Sequence, residues 1–222
     1  MKKKKTVVCV FAHPDDEAFG PSGTIHKLSK DYDVYILCAT KGQAGQDSRS
    51  ESSESLAARR ARELRESAKH IGVKKVYFLG FKDGTLSNNL YHKLADKIRK
   101  HLEDLKPELV ITFEPQGVSG HIDHITVSMA TSFVVLKLNF IKEIWYHCIL
   151  KARALKRRDY FIYFPSGYKR SEVDKIVDIS DVWTIKEKAM LKHESQRHDA
   201  ERILKEAKGF PKEEYFLVRK LK

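Results

Sequence analysis

The chain alternates between short apolar runs and longer amphipathic stretches. Five apolar runs of strand length predict β-strands at residues 7–12, 34–39, 75–80, 109–113 and 144–150. Four stretches with helical spacing predict helices at residues 22–30, 51–71, 90–105 and 124–137. Strands that alternate with helices are typical of a parallel sheet covered by helices on both faces. The pattern therefore predicts an α/β fold with a Rossmann-like, mostly parallel sheet in a single domain.

The C-terminal part of the chain is less regular. We interpret residues 6–150 as the core of a single domain that spans residues 1–222, and residues 151–222 as an extension that packs on this core. One further amphipathic helix is predicted at residues 185–196, where His193 is interpreted as a structural or rim residue. The serine-rich stretch 48–55 is predicted to be a loop, and such loops often border active sites.

The composition fits a single globular domain. The chain has 222 residues, of which 41% are hydrophobic, enough for a substantial core. Cys9, Cys38 and Cys148 all lie in strand-like runs, and their odd number does not suggest a disulfide framework. Each is interpreted as a small core residue rather than a zinc ligand.

Targeting signals are not evident in the sequence. The longest apolar stretches are strand-sized, well short of the ~20 residues that a membrane span requires. The basic start at residues 1–5 is followed by an apolar run that is too short for a signal peptide. No membrane span is expected, and the protein is predicted to be cytoplasmic.

The net charge of +12 raises the question of an anionic partner. Lysine and arginine are spread over nearly every predicted helix and are mixed with acidic residues, a pattern also found in proteins from very hot environments. The segment 151–158 is the best candidate for a phosphate or nucleic-acid contact, although a solvated loop or helix face is the favoured interpretation. We expect no specific nucleic-acid partner.

Candidate chemistry follows the first predicted strand, in the run His13-Pro14-Asp15-Asp16-Glu17. Open α/β sheets place their sites just beyond the carboxyl ends of strands. Imidazole and carboxylate are ordinary zinc ligands, so His13 and Asp16 could bind one ion and leave Asp15 free to transfer protons. The alternative interpretation is a polar turn with a helix cap. Because the turn has no Gly-x-Gly-x-x-Gly motif and is acidic, a bound dinucleotide is not expected.

A second polar cluster, at residues 117–124, follows the predicted strand at 109–113. A catalytic zinc ion needs three protein ligands and one open position for water. His121 or His124 could provide the third ligand, and the other histidine would then act beside the metal. The alternative interpretation of this histidine pair is a solvated helix start.

The two clusters together resemble the PIG-L/LmbE-like family of zinc-dependent N-acetylglucosaminyl deacetylases. The matching motifs are residues 12–17 and 120–124, with weaker matches at 40–45, 83–86 and 193–196. The resemblance extends over about residues 7–196. Gln43 departs from the family pattern, which often has glutamate there, and this change is expected to affect only loop hydrogen bonds.

The resemblance implies a role for each matching residue of the metal site. His13, Asp16 and His124 would bind one zinc ion per chain, and Asp15 would be the general base. His121 and Asp123 would assist at the tetrahedral intermediate, where Asp123 would orient a protonated His121 and raise its pKa.

Substrate contacts are implied for three more residues. Asp83 and an arginine of the second helix would contact the sugar, and we prefer Arg60 to Arg59 and Arg62. An alternative is that these arginines only pair with neighbouring glutamates on the helix. Ser119, which we also assign to the substrate-binding surface, stands where some family members have a tyrosine near the oxyanion. This change leaves oxyanion stabilisation to His121.

The resemblance implies a hydrolase that removes the acetyl group from an N-acetylated amino sugar of the N-acetylglucosamine type. The partner would be a small molecule, and assembly into a homo-oligomer remains open. Two alternatives are a zinc-dependent hydrolase of another bond, such as a phosphoester, and a non-catalytic basic binding protein. The sequence does not distinguish a chitin-derived disaccharide, a sugar-inositol, a sugar-thiol precursor or another acetylated amine as the substrate.

Overall fold

All five apolar runs that predict strands contain β-strands in the computed structural model, which describes residues 4–47, 55–157 and 162–221. The strands are β1 (Lys5–Phe11), β2 (Tyr32–Cys38), β3 (Lys75–Phe78), β4 (Leu109–Phe113), β5 (Glu143–Cys148), β6 (Lys175–Asp178) and β7 (Glu213–Lys220). The helices are α1 (Asp16–Phe19), α2 (Ser22–Ser29), α3 (Leu56–His70), α4 (Tyr91–Leu105), α5 (Gly117–Gly120), α6 (Ile122–Val135), α7 (Lys151–Ala154), α8 (Trp183–Leu191) and α9 (Arg197–Ala207).

The strands form one sheet in the order β3-β2-β1-β4-β5-β7-β6. The first five in this order pair in parallel, whereas β7 pairs antiparallel with both β5 and β6. Residues 7–11 of β1 and all of β4 are buried, because helices cover both faces of a parallel sheet. The predicted fold, a single α/β domain with a mostly parallel sheet, is confirmed.

The pairing of β1 with β4 positions the candidate site. The two strands are neighbours and run in the same direction, with Cys9 opposite Ile111. Their carboxyl ends therefore meet at one edge of the sheet, as the sites of open α/β folds require. The polar clusters that follow these two strands are brought together there.

Several boundaries differ from those predicted. Helix α6 begins at Ile122, two residues early, because the Nδ1 atom of His121 accepts a hydrogen bond from the N–H of Asp123 and caps the helix. Ser55 caps α3 in the same way, through the N–H of Ala58. Residues 48–54 of the predicted serine-rich loop lie outside the described residues.

The C-terminal part contains elements that the hydrophobic pattern did not predict. The predicted helix at 185–196 comprises α8 and a short 3₁₀ turn at Glu194–Gln196, after which α9 follows directly. Strands β6 and β7 were also missed. In the basic segment, α7 is followed by a 3₁₀ turn at Leu155–Arg157, and residue 158 lies outside the described part.

The cysteine prediction is confirmed, since Cys9, Cys38 and Cys148 are buried and unpaired. Among the described residues, no helix combines the length and apolar character that crossing a membrane requires.

Candidate active site

The loop after β1 folds around the side chain of Asp16. One of its oxygens, Oδ2, accepts hydrogen bonds from the N–H groups of Ala12 (3.1 Å) and His13 (2.7 Å). These bonds turn the chain at the strand end, so that the His13 ring and the second Asp16 oxygen face the same space. Asp15 precedes α1 with φ 108° and ψ −25°. A positive φ is strained for a residue other than glycine, and such residues cluster at functional sites.

The donor atoms of His13, Asp16 and His124 lie close together. His13 Nδ1 is 3.1 Å from His124 Nε2, which is 3.2 Å from Asp16 Oδ1, and His13 Nδ1 is 3.8 Å from Asp16 Oδ2. Ligands about 2 Å from a tetrahedral metal ion are about 3.3 Å apart. The contact between the two histidines and the contact between His124 and Asp16 have this spacing, whereas Asp16 approaches His13 through its other oxygen, at 3.8 Å.

Hydrogen bonds on the outer ring nitrogens favour the tautomers that a metal needs. His124 Nδ1 lies 3.0 Å from the carbonyl oxygen of Gly117, to which it can donate. His13 Nε2 lies 2.9 Å from Asp83 Oδ1 and 3.2 Å from Asp123 Oδ2. With a proton held on each outer nitrogen, each inner nitrogen could exchange its own proton for a bound metal ion, an arrangement typical of metal-bound histidines.

Two groupings of donor atoms, with one atom from each residue, could hold a metal ion, and neither includes Asp16. His13, His121 and His124 form one, and His13, Asp83 and Asp123 form the other, with the ligand atoms of each within 4.8 Å of one another. Both contain His13. The described residues thus include a His/Asp group able to bind a metal at the edge of the sheet.

The charges in this group depend strongly on one another. Burial raises the pKa of Asp16, but the charge and hydrogen bond of His124 outweigh it and hold this pKa well below its ordinary value. Burial disfavours protonated His13, yet its hydrogen bonds to Asp123 and Asp83 raise its pKa to about 10. The acidic residues thus attract positive charge to the site, which is the electrostatic requirement for a cation.

Asp15 lies beside the ligand set and is held by Arg60. The guanidinium donates from Nη2 to Asp15 Oδ2 (2.9 Å) and to the Pro14 carbonyl (2.7 Å), and from Nη1 to the Gly42 carbonyl (2.8 Å). Burial raises the pKa of Asp15 to about 7, since it outweighs the opposing charge of Arg60. A carboxyl group with this pKa can both accept and return a proton near neutral pH.

The expectation that Asp123 keeps His121 protonated differs from the structure. Asp123 contacts His121 through its backbone N–H, while its carboxylate accepts the N–H groups of Gly84 (2.8 Å) and Leu86 (3.0 Å). Burial, together with the charges of His124 and His13, lowers the pKa of His121 to about 4 and outweighs the charge of Asp123, which raises this pKa as expected. His121 is therefore neutral, and because Nδ1 accepts a hydrogen bond, its ring proton is on Nε2.

The predicted substrate-binding residues lie beside the metal-binding group. Asp83 uses Oδ1 for His13 and Oδ2 to accept the N–H of Ala44 (2.9 Å), so that both of its oxygens position neighbouring groups. The hydroxyl of Ser119 lies 3.5 Å from the Gly117 carbonyl. Arg59 pairs with Asp47, and Arg62 is exposed and pairs with Glu66.

A cavity of about 850 Å³ opens over this group. Eight of the nine predicted site residues line it, and Asp123 lies behind them. Several further polar residues line the cavity and were not predicted from the sequence, although the weak motif at 193–196 includes one of them. These residues are Gln46, His147, Gln196, His198, Asp199 and Arg202.

Comparison with known proteins identifies the family. The family model described as PIG-L, GlcNAc-PI de-N-acetylase, matches residues 8–135, which include both polar clusters. The chain belongs to the PIG-L family. The family predicted from the two motifs is thus confirmed.

Relatives of this PIG-L family member are deacetylases by name. The chain is 30% identical to the probable N-acetyl-alpha-D-glucosaminyl L-malate deacetylase 2 of Bacillus subtilis, covering 91% of this chain and 88% of the relative. It is 33% identical to the diacetylchitobiose deacetylase of Thermococcus kodakarensis, covering 86% and 70%. The N,N'-diacetylchitobiose deacetylase structure from Pyrococcus horikoshii superposes with a TM-score of 0.71 at 27% identity, covering 99% of this chain and 85% of that one.

Proposed function

We propose that this protein is a metal-dependent hydrolase that removes the acetyl group from an N-acetylated amino sugar. The observation that carries the proposal is the position of Asp15, a buried carboxyl group beside the clustered donor atoms of His13, Asp16 and His124. Zinc, one ion per chain, is the proposed metal, because imidazole and carboxylate ligands in this number are typical of catalytic zinc sites. A metal ion held there supplies Lewis-acid polarisation of the acetyl carbonyl and activation of a water molecule.

The proton transfers are assigned to Asp15. It accepts a proton from the water that attacks the acetamide carbonyl, and it returns a proton to the amine nitrogen as the C–N bond breaks. Acetate and a free amino sugar are the products. The hydrogen bond from Arg60 to Asp15 keeps the carboxylate turned toward the reacting atoms.

Oxyanion stabilisation is assigned to His121. Its neutral ring carries a proton on Nε2, and this N–H can donate to the oxygen that becomes negative when the carbonyl is attacked. Asp123 positions this ring through its backbone N–H and positions His13 through its carboxylate. Arg60, Asp83 and Ser119 line the same cavity and remain the proposed contacts to the sugar.

Acetate release from a panel of compounds tests the proposal. The panel contains N-acetylglucosamine, N,N'-diacetylchitobiose, and N-acetylglucosaminyl conjugates of malate and inositol, the types of compound that the names of the relatives include. Zinc-loaded protein should release acetate from at least one of them. Removal of the metal by a chelator should abolish this activity, and added zinc should restore it.

Chromogenic phosphoesters are assayed in parallel. If the zinc-loaded protein hydrolyses a phosphoester and releases no acetate, the proposed reaction is wrong and the alternative hydrolase is supported. If it is inactive on both and binds no zinc, the alternative of a non-catalytic binding protein is supported.

A further inference from the structure

Glu17 connects the site to the C-terminal part of the chain. Its side chain is fully buried, at 0% exposure, and its Oε2 accepts a hydrogen bond from the N–H of Asp15 (3.1 Å). Its other oxygen, Oε1, lies 2.7 Å from Nε2 of His193. Because an ionised carboxylate only accepts hydrogen bonds, His193 is the donor. A direct chain of contacts thus runs from His193 through Glu17 to the backbone of Asp15.

The hydrogen bond to Glu17 is the main polar contact of the His193 ring. This residue is also 0% exposed, and its ring packs edge-on against Phe19 at 6.1 Å between centroids. Among the described residues, its Nδ1 atom has no hydrogen-bond partner. A buried polar atom without a partner costs free energy, so an apolar residue would suit this packing better. Compared with an apolar residue, a histidine at this position adds the hydrogen bond to Glu17.

Asp15 needs such support, because its backbone has a strained conformation. With φ 108° and ψ −25°, it persists only where surrounding contacts hold it. The N–H groups of Ala18 and Phe19 bond to its carbonyl oxygen, and Glu17 holds its N–H. Of these three contacts, the one from Glu17 depends on a distant residue, because Glu17 is itself held by His193.

We infer that His193 is a positioning residue for Asp15. By donating to Glu17, it fixes the Asp15 backbone in the conformation that directs the carboxylate toward the metal-binding side chains. The inference rests on the proposed function of Asp15 as the general base. His193 lies beyond residues 8–135, so the C-terminal part of the chain completes the geometry of the catalytic loop.

Two substitutions at position 193 separate the hydrogen bond from the bulk of the side chain. His193→Leu removes the donor, whereas His193→Gln keeps an N–H group that can reach Glu17. With the panel substrate that the wild type hydrolyses fastest, His193→Leu should lower kcat by ~10–100-fold, because small displacements of a catalytic group are costly. KM and zinc content should be unchanged, and His193→Gln should keep most of the wild-type kcat.

Combination with Asp15→Asn provides the decisive measurement. If His193 acts only through Asp15, His193→Leu should cause no further loss of kcat in the Asp15→Asn protein. Ser195→Ala is the matched control, since it removes a buried hydrogen bond from the same turn, between its hydroxyl and Glu63 Oε2 (2.6 Å). This change should lower stability but leave kcat close to that of the wild type.

The inference fails if His193→Leu lowers kcat by the same factor in both backgrounds, if it releases zinc, or if it leaves kcat unchanged. Should the leucine variant not fold, His193→Phe fills the space of the ring without the donor and is measured in the same way. An Asp15→Asn protein with wild-type turnover would instead overturn the proposed function, so that the two failures are distinguishable.

Discussion

Asp15 and Asp16 are adjacent carboxylates with opposite surroundings. Asp16 is bonded to two backbone N–H groups and lies beside His124, which stabilises its charge. Asp15 is balanced between Arg60, which favours its charged form, and burial, which opposes it. One turn of chain thus provides a carboxylate whose pKa is held low and another whose pKa is about 7, which suits the proposed roles of metal ligand and general base.

Asparagine at each position should separate these roles. Asp15→Asn keeps an acceptor for Arg60 but cannot accept a proton as a base, so turnover should fall by ~10²–10⁴ while zinc remains bound. Asp16→Asn removes the anionic ligand, so zinc affinity should fall first, and excess zinc should restore part of the activity. Metal content and acetate release, measured for both variants, check these outcomes. Loss of zinc from the Asp15 variant would contradict these roles and indicate that Asp15, rather than Asp16, is the metal ligand.

At the residue scale, the sequence was sufficient to predict which side chains gather at the site. The two motifs follow neighbouring strands, and eight of the nine predicted residues line one cavity. The sequence was not sufficient to predict that the carboxylates of Asp83 and Asp123 both contact the His13 ring. Such contacts depend on side-chain directions across loops that are far apart in the chain, which spacing does not specify.

At the scale of elements, the turn between β4 and α6 holds His124 in place. Gly117 has φ +71°, and a Cβ atom at this position would lie 2.8 Å from the Cβ of His124 and 3.0 Å from the N of Ile125. Its carbonyl oxygen also meets His124 Nδ1. The turn and His124, a proposed metal ligand, are therefore packed as one unit.

Gly117→Ala should disturb the metal as well as the fold. The strained φ alone costs ~1–2 kcal/mol of stability, and the clash should displace His124 and weaken zinc binding by ~10–100-fold. Gly80→Ala is the matched control, because Gly80 has a similar φ of +78° but its nearest neighbour, Lys97 Nζ, is 3.7 Å away. Unfolding and zinc titrations of both variants test this difference. Equal zinc affinities would contradict it.

The elements that the sequence analysis missed share a physical cause. Strand β7 carries charged residues at both ends, Glu213 and Glu214 at the start and Arg219 and Lys220 at the finish, so its apolar centre is short. Helix α9 has an apolar face formed by Ala200, Ile203, Leu204 and Ala207, and most of its other residues are charged. Both elements contain few apolar residues and are stabilised by contacts with distant parts of the chain.

At the scale of the whole molecule, His147 links stability to pH. It lies on β5, it is 8% exposed, and burial lowers its pKa to about 4. The unfolded chain binds a proton at this residue near pH 6.5, whereas the folded protein does not until about pH 4. Because the unfolded state binds more protons in this window, the free energy of unfolding should decrease as the pH falls through it.

His147→Leu should remove this part of the acid sensitivity. Lowering the pH from 7 to 5 should cost the wild type about 2 kcal/mol through this residue, from 1.36 kcal/mol per unit of pKa difference. When both proteins are unfolded by denaturant at pH 7 and pH 5, the free energy of unfolding of the leucine variant should fall less between the two pH values, by about this amount. His92→Leu, at an exposed histidine, serves as the control. A loss in the leucine variant equal to that of the wild type would contradict the assignment.

The long path of the chain from Glu17 to His193 also sets an order of assembly. The proposed metal ligands, His13, Asp16 and His124, are all present once the first 124 residues have been made, whereas Glu17 meets its partner 176 residues further along the chain. A single domain generally folds as a unit, and contacts between distant residues form late. Asp15 would therefore reach its working conformation only after synthesis has passed His193. A chain that stops before this residue would carry all the proposed metal ligands and still lack a correctly placed base.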